Sequence, residues 1–296
     1  MPPSSEARHF LVEQARKQLR HLSLQISRSV KSANAGAVHD LRVAIRRFTQ
    51  AVAVCQPYLH ASQMRKNRKR LKKVMAGAGE VRNCDVALKF VARFRALNAV
   101  HLRSKLQTHR KESVSGLVAE LRKWTDRRMS VKWRAVFDAA PADSGEHAVQ
   151  EVARRALSRI AKDFQKQGNE ASSSEASPTC LHRFRIVAKK FRYALELFQP
   201  VYGTSLDPII QNIKRLSALL GDINDCVTVG AMVADYKGGN RLADRLRKRQ
   251  HKKTAEFRKY WKEEFSGRDL LGKILDEAAP VKKPAASTRF ASRSAA

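Results

Sequence analysis

Two segments of the sequence repeat the same pattern of histidine, cations and phenylalanine. The first runs from Val38 to Phe48, and the second, 143 residues later, runs from Leu181 to Phe191. In each copy an arginine follows the histidine by three residues and a second cation follows it by seven. Imidazole and guanidinium groups donate hydrogen bonds to phosphate oxygens, and lysine supplies a compact charge. Because no nucleophile or metal-ligand set accompanies them, these segments predict anion binding.

Helical geometry determines how these side chains are presented. At about 100° per residue, the histidine and the two cations of each copy fall on one side of a helix. The opposite sides are apolar: Leu41, Ala44, Ile45, Phe48, Val52 and Cys55 in the first copy, and Phe184, Val187, Ala188, Phe191, Leu195 and Phe198 in the second. Like charges one turn apart repel each other. We therefore expect two helices that each bury one face and display a row of cations to a polyanion on the other.

A second block of similarity sets the predicted architecture. Leu71–Val74 matches Ile213–Leu216, and Gly79–Cys84 matches Gly221–Cys226, in the same order and at nearly the same offset. The stretch Arg65–Lys73 has seven basic residues in nine and still keeps an apolar stripe. The repeat predicts an all-α protein made of two antiparallel helical bundles, residues 5–140 and 146–268, related by a pseudo-twofold axis.

Composition limits the possible partners. Among 296 residues, 59 Lys and Arg exceed 27 Asp and Glu by 32 charges, while 43% hydrophobic residues suffice for a core. This charge predicts an anionic partner: nucleic acid, an anionic membrane surface or polymeric phosphate. We expect no membrane-spanning helix, since no apolar run of about 18 residues occurs, and no signal peptide. Four cysteines without a CxxC pair favour buried thiols in a reducing cytoplasm.

Apolar spacing predicts helices almost throughout. Their expected ranges are 5–32, 38–56, 62–78, 83–97, 100–125, 131–140, 146–167, 181–199, 206–220, 224–236 and 240–266. Three of the breaks rest on glycine alone, at Gly77 to Gly79, at Gly221 and at Gly238-Gly239. The Ser-rich stretch 168–179 is predicted to be a flexible surface loop, and residues 279–296 a disordered basic tail.

The doubled motif, with its later Gly-acid segments at Gly79–Asp85 and Gly221–Asp225, resembles the conserved histidine α-helical domain, or CHAD, family. The resemblance implies one compact CHAD domain over residues 5–268, standing alone, that binds inorganic polyphosphate through basic residues and associates with polyphosphate granules. The candidate binding residues are His39, Arg42, Arg46, Arg47, Arg65, Lys66, Lys69, Lys72, Lys73, Arg82, His182, Arg185, Lys189, Lys190, Arg192, Lys214 and Arg215.

The second half departs from the first at two positions, where Asn224 stands for Arg82 and Gln211 for Lys69. We expect a cytoplasmic binding module without cofactor, metal or catalysis. Two other hypotheses stay open. A nucleic-acid-binding or nucleoid-associated protein fits the charge equally well. A polyphosphate hydrolase or kinase would use Asp85, Asp222 and Asp225 to hold Mg²⁺, although such acids more often cap helices or hold neighbouring arginines in place.

Overall fold

The computed structural model describes residues 6–94, 99–139, 148–234, 236, 239–270 and 272. Within these ranges the chain forms α-helices and two short 3₁₀ turns, without a strand, which confirms the all-α prediction. The helices are α1 (Glu6–Lys31), α2 (Ala35–Val54), α3 (Ala61–Phe94), α4 (Ala99–Asp126), α5 (Met129–Asp138), α6 (Val149–Ser172), α7 (Pro178–Tyr202), α8 (Asp207–Ala234) and α9 (Asn240–Glu264).

The two helices that carry the repeated motif, α2 and α7, both begin at a side-chain cap. Asn34 Oδ1 accepts a hydrogen bond from the Ala37 backbone N–H at 2.9 Å. Ser177 Oγ accepts one from the Cys180 N–H at 3.2 Å. These caps satisfy backbone donors that have no partner within the helix. Each helix therefore starts three residues before the predicted boundary, and its histidine lies in the second turn.

The glycine breaks predicted at Gly77 to Gly79 and at Gly221 were wrong. Both sites lie inside continuous helices, α3 and α8. A glycine within a helix costs about 1 kcal/mol relative to alanine. Buried neighbours on the same helices, such as Ala78, Val81 and Ile223, supply packing that outweighs this cost.

The loop expected at 168–179 is also shorter than predicted, because α6 continues to Ser172 and α7 begins at Pro178. Gly168 lies directly under the Trp261 ring, where an added Cβ would come within 2.0 Å of a ring carbon. Trp261 Nε1 donates to Asn169 Oδ1 at 3.1 Å. The glycine that suggested a loop instead allows the α6 backbone to approach an aromatic side chain of α9.

The helices pair in the same order in the two halves. α1 packs on α2 as α6 packs on α7, and α3 packs on α4 as α8 packs on α9. Three contacts join the halves: α1 with α6, α2 with α7, and α3 with α8. Among the described residues of the second half, no helix corresponds to α5. This order agrees with the sequence repeat, while the pseudo-twofold axis itself stays a prediction.

The apolar faces predicted for α2 and α7 are buried, as expected. Phe48 lies against Trp133, and Phe164 of α6 contacts both Phe184 and Phe191. A smaller second core joins the end of α3 and the start of α4 to the end of α8 and the start of α9. The four cysteines are free; three are buried and Cys180 is partly exposed. Burying these faces fixes the direction in which the opposite, cationic faces point.

One stretch, Pro178–Ala234, is long and apolar enough to cross a membrane by composition, contrary to the expectation from sequence. Core helices of soluble proteins meet the same criteria, and most of the apolar residues of α7 and α8, with Ile186 and Val227 as exceptions, are buried against other helices. This stretch is therefore only weak support for a membrane span. The predicted basic tail at 279–296 lies outside the described residues.

Candidate anion-binding site

The contact between α2 and α7 brings the two rows of cations together. Arg42 and Arg46 on α2 lie within electrostatic range of Arg185 and Lys189 on α7. We call these four residues the central cluster. All four side chains are partly buried. The sequence predicted two separate, displayed faces; the structure instead merges them into one half-buried group, because the two helices meet across the halves of the protein.

Burial and mutual repulsion perturb every member of the central cluster. Removal from water, followed by the charges of Arg46, Arg185 and Arg82, lowers the pKa of Arg42 to about 10. Desolvation, followed by the three neighbouring arginines, lowers the pKa of Lys189 to about 6. The pKa values of Arg46 and Arg185 are lowered mainly by burial as well. An anion at this point would restore favourable interactions to all four groups.

No member of the central cluster forms an ion pair with any of the described carboxylates. Arg46 donates a hydrogen bond to the Tyr193 hydroxyl, and Arg185 Nε is buried without a partner. The carboxylate of Asp225 on α8 acts electrostatically on all four basic groups but forms an ion pair with none of them. Buried cations are normally paired. The cluster thus has charge and hydrogen-bonding capacity available for a ligand.

Two of the predicted binding residues beside the cluster are already paired. Arg47 Nη2 lies 2.9 Å from Glu196 Oε2, and Arg192 Nε lies 3.0 Å from Glu196 Oε1. The Arg192 guanidinium also stacks over the Tyr193 ring at 5.0 Å. Sequence reasoning missed Glu196 and Tyr193, and it considered Asp225 as a Mg²⁺ ligand, a helix cap or a partner of neighbouring arginines, not as a charge shared by this cluster. The four-residue spacing from Arg192 to Glu196 could have revealed one ion pair, whereas the contact with Arg47 depends on the fold.

The two repeated histidines have different surroundings. His39 is exposed at the surface, but partial desolvation of its ring and the charge of Arg82 lower its pKa. His182 is also exposed, and its Nδ1 lies 2.6 Å from Asn224 Oδ1. Because an amide oxygen only accepts, Nδ1 carries the proton and Nε2 faces away from this bond. The replacement of Arg82 by Asn224 exchanges a repulsive cation for a hydrogen bond that orients the ring.

Glycine at position 79 makes room for the cluster. An added Cβ there would lie 3.1 Å from Arg42 Nη1, so the guanidinium passes over the bare backbone of α3. At Gly221, the matching position on α8, an added Cβ would meet nothing within 4 Å. Only one of the two repeated glycines is therefore in contact with a cation of the cluster.

Other predicted residues lie outside the central cluster. Arg65, Lys66, Lys69, Lys72 and Lys73 are exposed on α3, and we call the stretch 65–73 the outer run. Within it, Arg70 is turned the other way and pairs with Glu120 at 2.9 Å. Lys190, Lys214 and Arg215 are exposed too, and Arg215 stacks over Tyr260 at 4.7 Å. Their contribution to binding stays a prediction.

The carboxylates considered for Mg²⁺ are mostly engaged with arginines. Asp85 Oδ1 accepts from Arg110 Nε at 2.7 Å, and Asp222 Oδ2 accepts from Arg249 Nη2 at 2.9 Å. In the part of the chain that the structure describes, no three His, Cys, Asp or Glu side chains gather as a metal site. These acids hold neighbouring helices together through ion pairs.

Comparisons with known proteins agree with the fold. The family model for the CHAD domain matches residues 13–234. The crystal structure of the CHAD domain from the plant Ricinus communis superposes with a TM-score of 0.69, at 17% identity over 95% of both chains. PptA from Streptomyces chartreusis superposes with a TM-score of 0.64, at 15% identity over 86% of this chain and 99% of that one. A search of curated proteins found no match.

Proposed function

Because the chain belongs to the CHAD family, a family linked to polyphosphate binding, we propose that it binds inorganic polyphosphate at the central cluster. The observation that carries this proposal is the set of four half-buried cations without a carboxylate partner. A ligand phosphate supplies the missing negative charge and accepts the unused hydrogen bonds.

The geometry of the cluster favours a chain-like anion. Successive cations on each helix are about one turn, or 5.4 Å, apart along the axis, so a flexible chain of phosphates can contact several of them in turn. Lys and Arg contacts release counterions from the polyanion, and binding should therefore weaken steeply as salt is added. Arg82, next to Arg42 and His39, extends the cationic surface onto α3.

Nucleic acid is the competing ligand. Single strands are commonly held by exposed aromatic rings on which bases stack. The phenylalanines of α2 and α7, including Phe48, Phe184 and Phe191, are fully buried and unavailable for stacking. A duplex presents its phosphates on a broad, stiff surface, which is poorly suited to a cluster recessed between two helices. Both arguments favour polyphosphate.

Competition at physiological salt tests the choice of ligand. Labelled long-chain polyphosphate is bound to the full-length protein, and unlabelled polyphosphate or duplex DNA is added at equal phosphate concentration. We expect polyphosphate to displace the label at much lower concentration than DNA. If DNA displaces it equally well or better, the chain is a general or nucleic-acid-specific polyanion binder and the proposal fails.

In the cell, we propose that the protein is a cytoplasmic, non-catalytic module that attaches to polyphosphate granules. A fluorescent fusion is expected to colocalise with granules and to become diffuse when polyphosphate synthesis is removed. Incubation of the purified protein with polyphosphate and Mg²⁺ should release no phosphate. Release above that of a variant with a neutralised central cluster would instead revive the hydrolase hypothesis.

A further inference from the structure

One carboxylate, Asp225, lies beside the central cluster without pairing to it. Its neighbour Asn224 is hydrogen-bonded to His182, so this turn of α8 lies against the motif-bearing part of α7. Asp225 is partly buried, and its carboxylate forms no ion pair or hydrogen bond with the described residues. This isolation is unusual, because the protein has a large excess of Lys and Arg over acids.

The charge of Asp225 reaches all members of the cluster. It favours the protonated forms of Arg42, Arg46, Arg185 and Lys189, against the opposing effects of burial and mutual repulsion. Glu196, which lies beside the cluster on α7, is already shared by Arg47 and Arg192. Asp225 is thus the available counter-charge for the empty cluster.

The sequence places this acid in one half only. The matched block of the first half has Asn83 where the second has Asp225. A single negative charge on α8 therefore serves cations that come from both α2 and α7. A carboxylate with a purely local role on α8, such as Asp222, is instead tied directly to one partner, Arg249.

We propose that Asp225 is an internal counter-ion that stabilises the empty central cluster and competes with the phosphates of the ligand. This inference rests on the proposed function, since it assigns Asp225 a role in the same site. In the unliganded protein, the carboxylate reduces repulsion among buried cations. When a polyanion arrives, the same carboxylate repels it. Asp225 consequently lowers the affinity for polyphosphate and raises the stability of the free protein.

The variant Asp225→Asn, which keeps the shape and removes the charge, separates this role from a merely structural one. We expect affinity for polyphosphate to rise by about three- to tenfold, as for a unit charge acting over a few ångströms in a partly hydrated site. The thermal midpoint of the free protein should fall, because repulsion in the cluster is no longer offset. The affinities for tripolyphosphate and for long chains should rise by similar factors, since the repulsion that the variant removes is local.

The matched control is Asp222→Asn, which removes the same charge three residues earlier on α8 but breaks the ion pair with Arg249. It should leave polyphosphate affinity nearly unchanged while lowering stability. Weaker or unaltered binding by a folded Asp225→Asn protein would overturn the inference, as would an increase in its stability without ligand. Absence of polyphosphate binding by the wild-type protein would instead refute the proposed function.

Discussion

The central cluster and the outer run have similar residues in opposite environments. The outer run, at 65–73, is one of the most basic stretches of the sequence, yet most of its cations are exposed to water on α3. The central cluster has only four basic side chains, but they are half-buried, they come from two helices and they lack carboxylate partners. Water and salt screen the first group far more than the second.

This difference shows that charge density along a sequence is a poor measure of binding strength. An exposed lysine is already well solvated and contributes little when it meets an anion. A cation that is already desolvated and repelled by its neighbours gains much more from the same contact. We therefore expect the central cluster to determine affinity and the outer run to add a weaker, salt-sensitive contribution.

We expect the largest change in polyphosphate affinity when the central cluster and the outer run are neutralised in two separate variants. Changing Arg42, Arg46, Arg185 and Lys189 to Gln should weaken polyphosphate binding by about 100-fold or more, since losing a single buried charged contact costs about 2–5 kcal/mol. Changing Lys66, Lys69, Lys72 and Lys73 to Gln should weaken it by about tenfold or less. Calorimetric titration measures both, with circular dichroism and thermal melts as checks on folding.

Neutralising the central cluster removes repulsion, so the first variant should fold at least as stably as the wild type. Equal losses of affinity in the two variants would show that binding depends on total charge and not on the recessed cluster.

A smaller effect is expected from pH, through Lys189. With a pKa of about 6, its amine is largely neutral at pH 7.5 in the empty protein. Bound phosphates favour the charged form of the Lys189 amine, as Asp225 already does. The protein should therefore take up as much as about one proton when polyphosphate binds. Affinity should rise as pH falls from about 8.5 to 6.5, by at most about tenfold per unit. Calorimetry in buffers with different ionisation enthalpies measures the uptake.

The control variants for this pH effect are Lys189→Met, which is always neutral, and Lys189→Arg, which stays charged. Both should lack the proton uptake, whatever the titration of the ligand itself contributes. The same low pKa has a consequence for folding. Between about pH 6 and 10.5, Lys189 is protonated in the unfolded chain and neutral in the folded protein. Because the unfolded state binds the extra proton, the free energy of unfolding rises with pH across that window. If proton uptake on polyphosphate binding persisted unchanged in Lys189→Met, a group other than Lys189 would be its source.

The smallest effect is expected at the two repeated glycines. Gly79→Ala places a methyl group 3.1 Å from Arg42 Nη1, which must shift by a few tenths of an ångström, while Gly221→Ala enters open space. Alanine in a helix gains about 1 kcal/mol over glycine, so Gly221→Ala should raise stability without altering affinity. Gly79→Ala should gain less and bind polyphosphate a few-fold more weakly. Identical behaviour of the two variants would exclude a role for Gly79 in positioning Arg42.

Much of the fold followed from the sequence because helical periodicity is a local property. The spacing of Leu41, Ile45 and Phe48 identified the buried side of α2, and the repeat identified the corresponding side of α7. Local rules failed where packing overrides them. Gly168 predicted a loop, but the ring of Trp261, far away in the sequence, requires that glycine within α6.

The candidate site was predictable in the identity of its cations but not in its organisation. Spacing showed that Arg42 and Arg46 share a face, as do Arg185 and Lys189. It could not show that Glu196 neutralises Arg47, or that Asp225 lies near all four members of the central cluster. These interactions are between residues of different helices, and spacing along a single helix cannot predict them.

The sequence by itself determined that this is an all-helical protein with repeated rows of cations opposite apolar faces, because each helix must bury its apolar stripe and leave its charges outside. Only the tertiary structure decided that α2 and α7 meet, so that two rows become one recessed cluster. The physical reason is that the pKa of a lysine and the pairing of an arginine depend on burial and on neighbours through space. Those quantities exist only once the helices have packed.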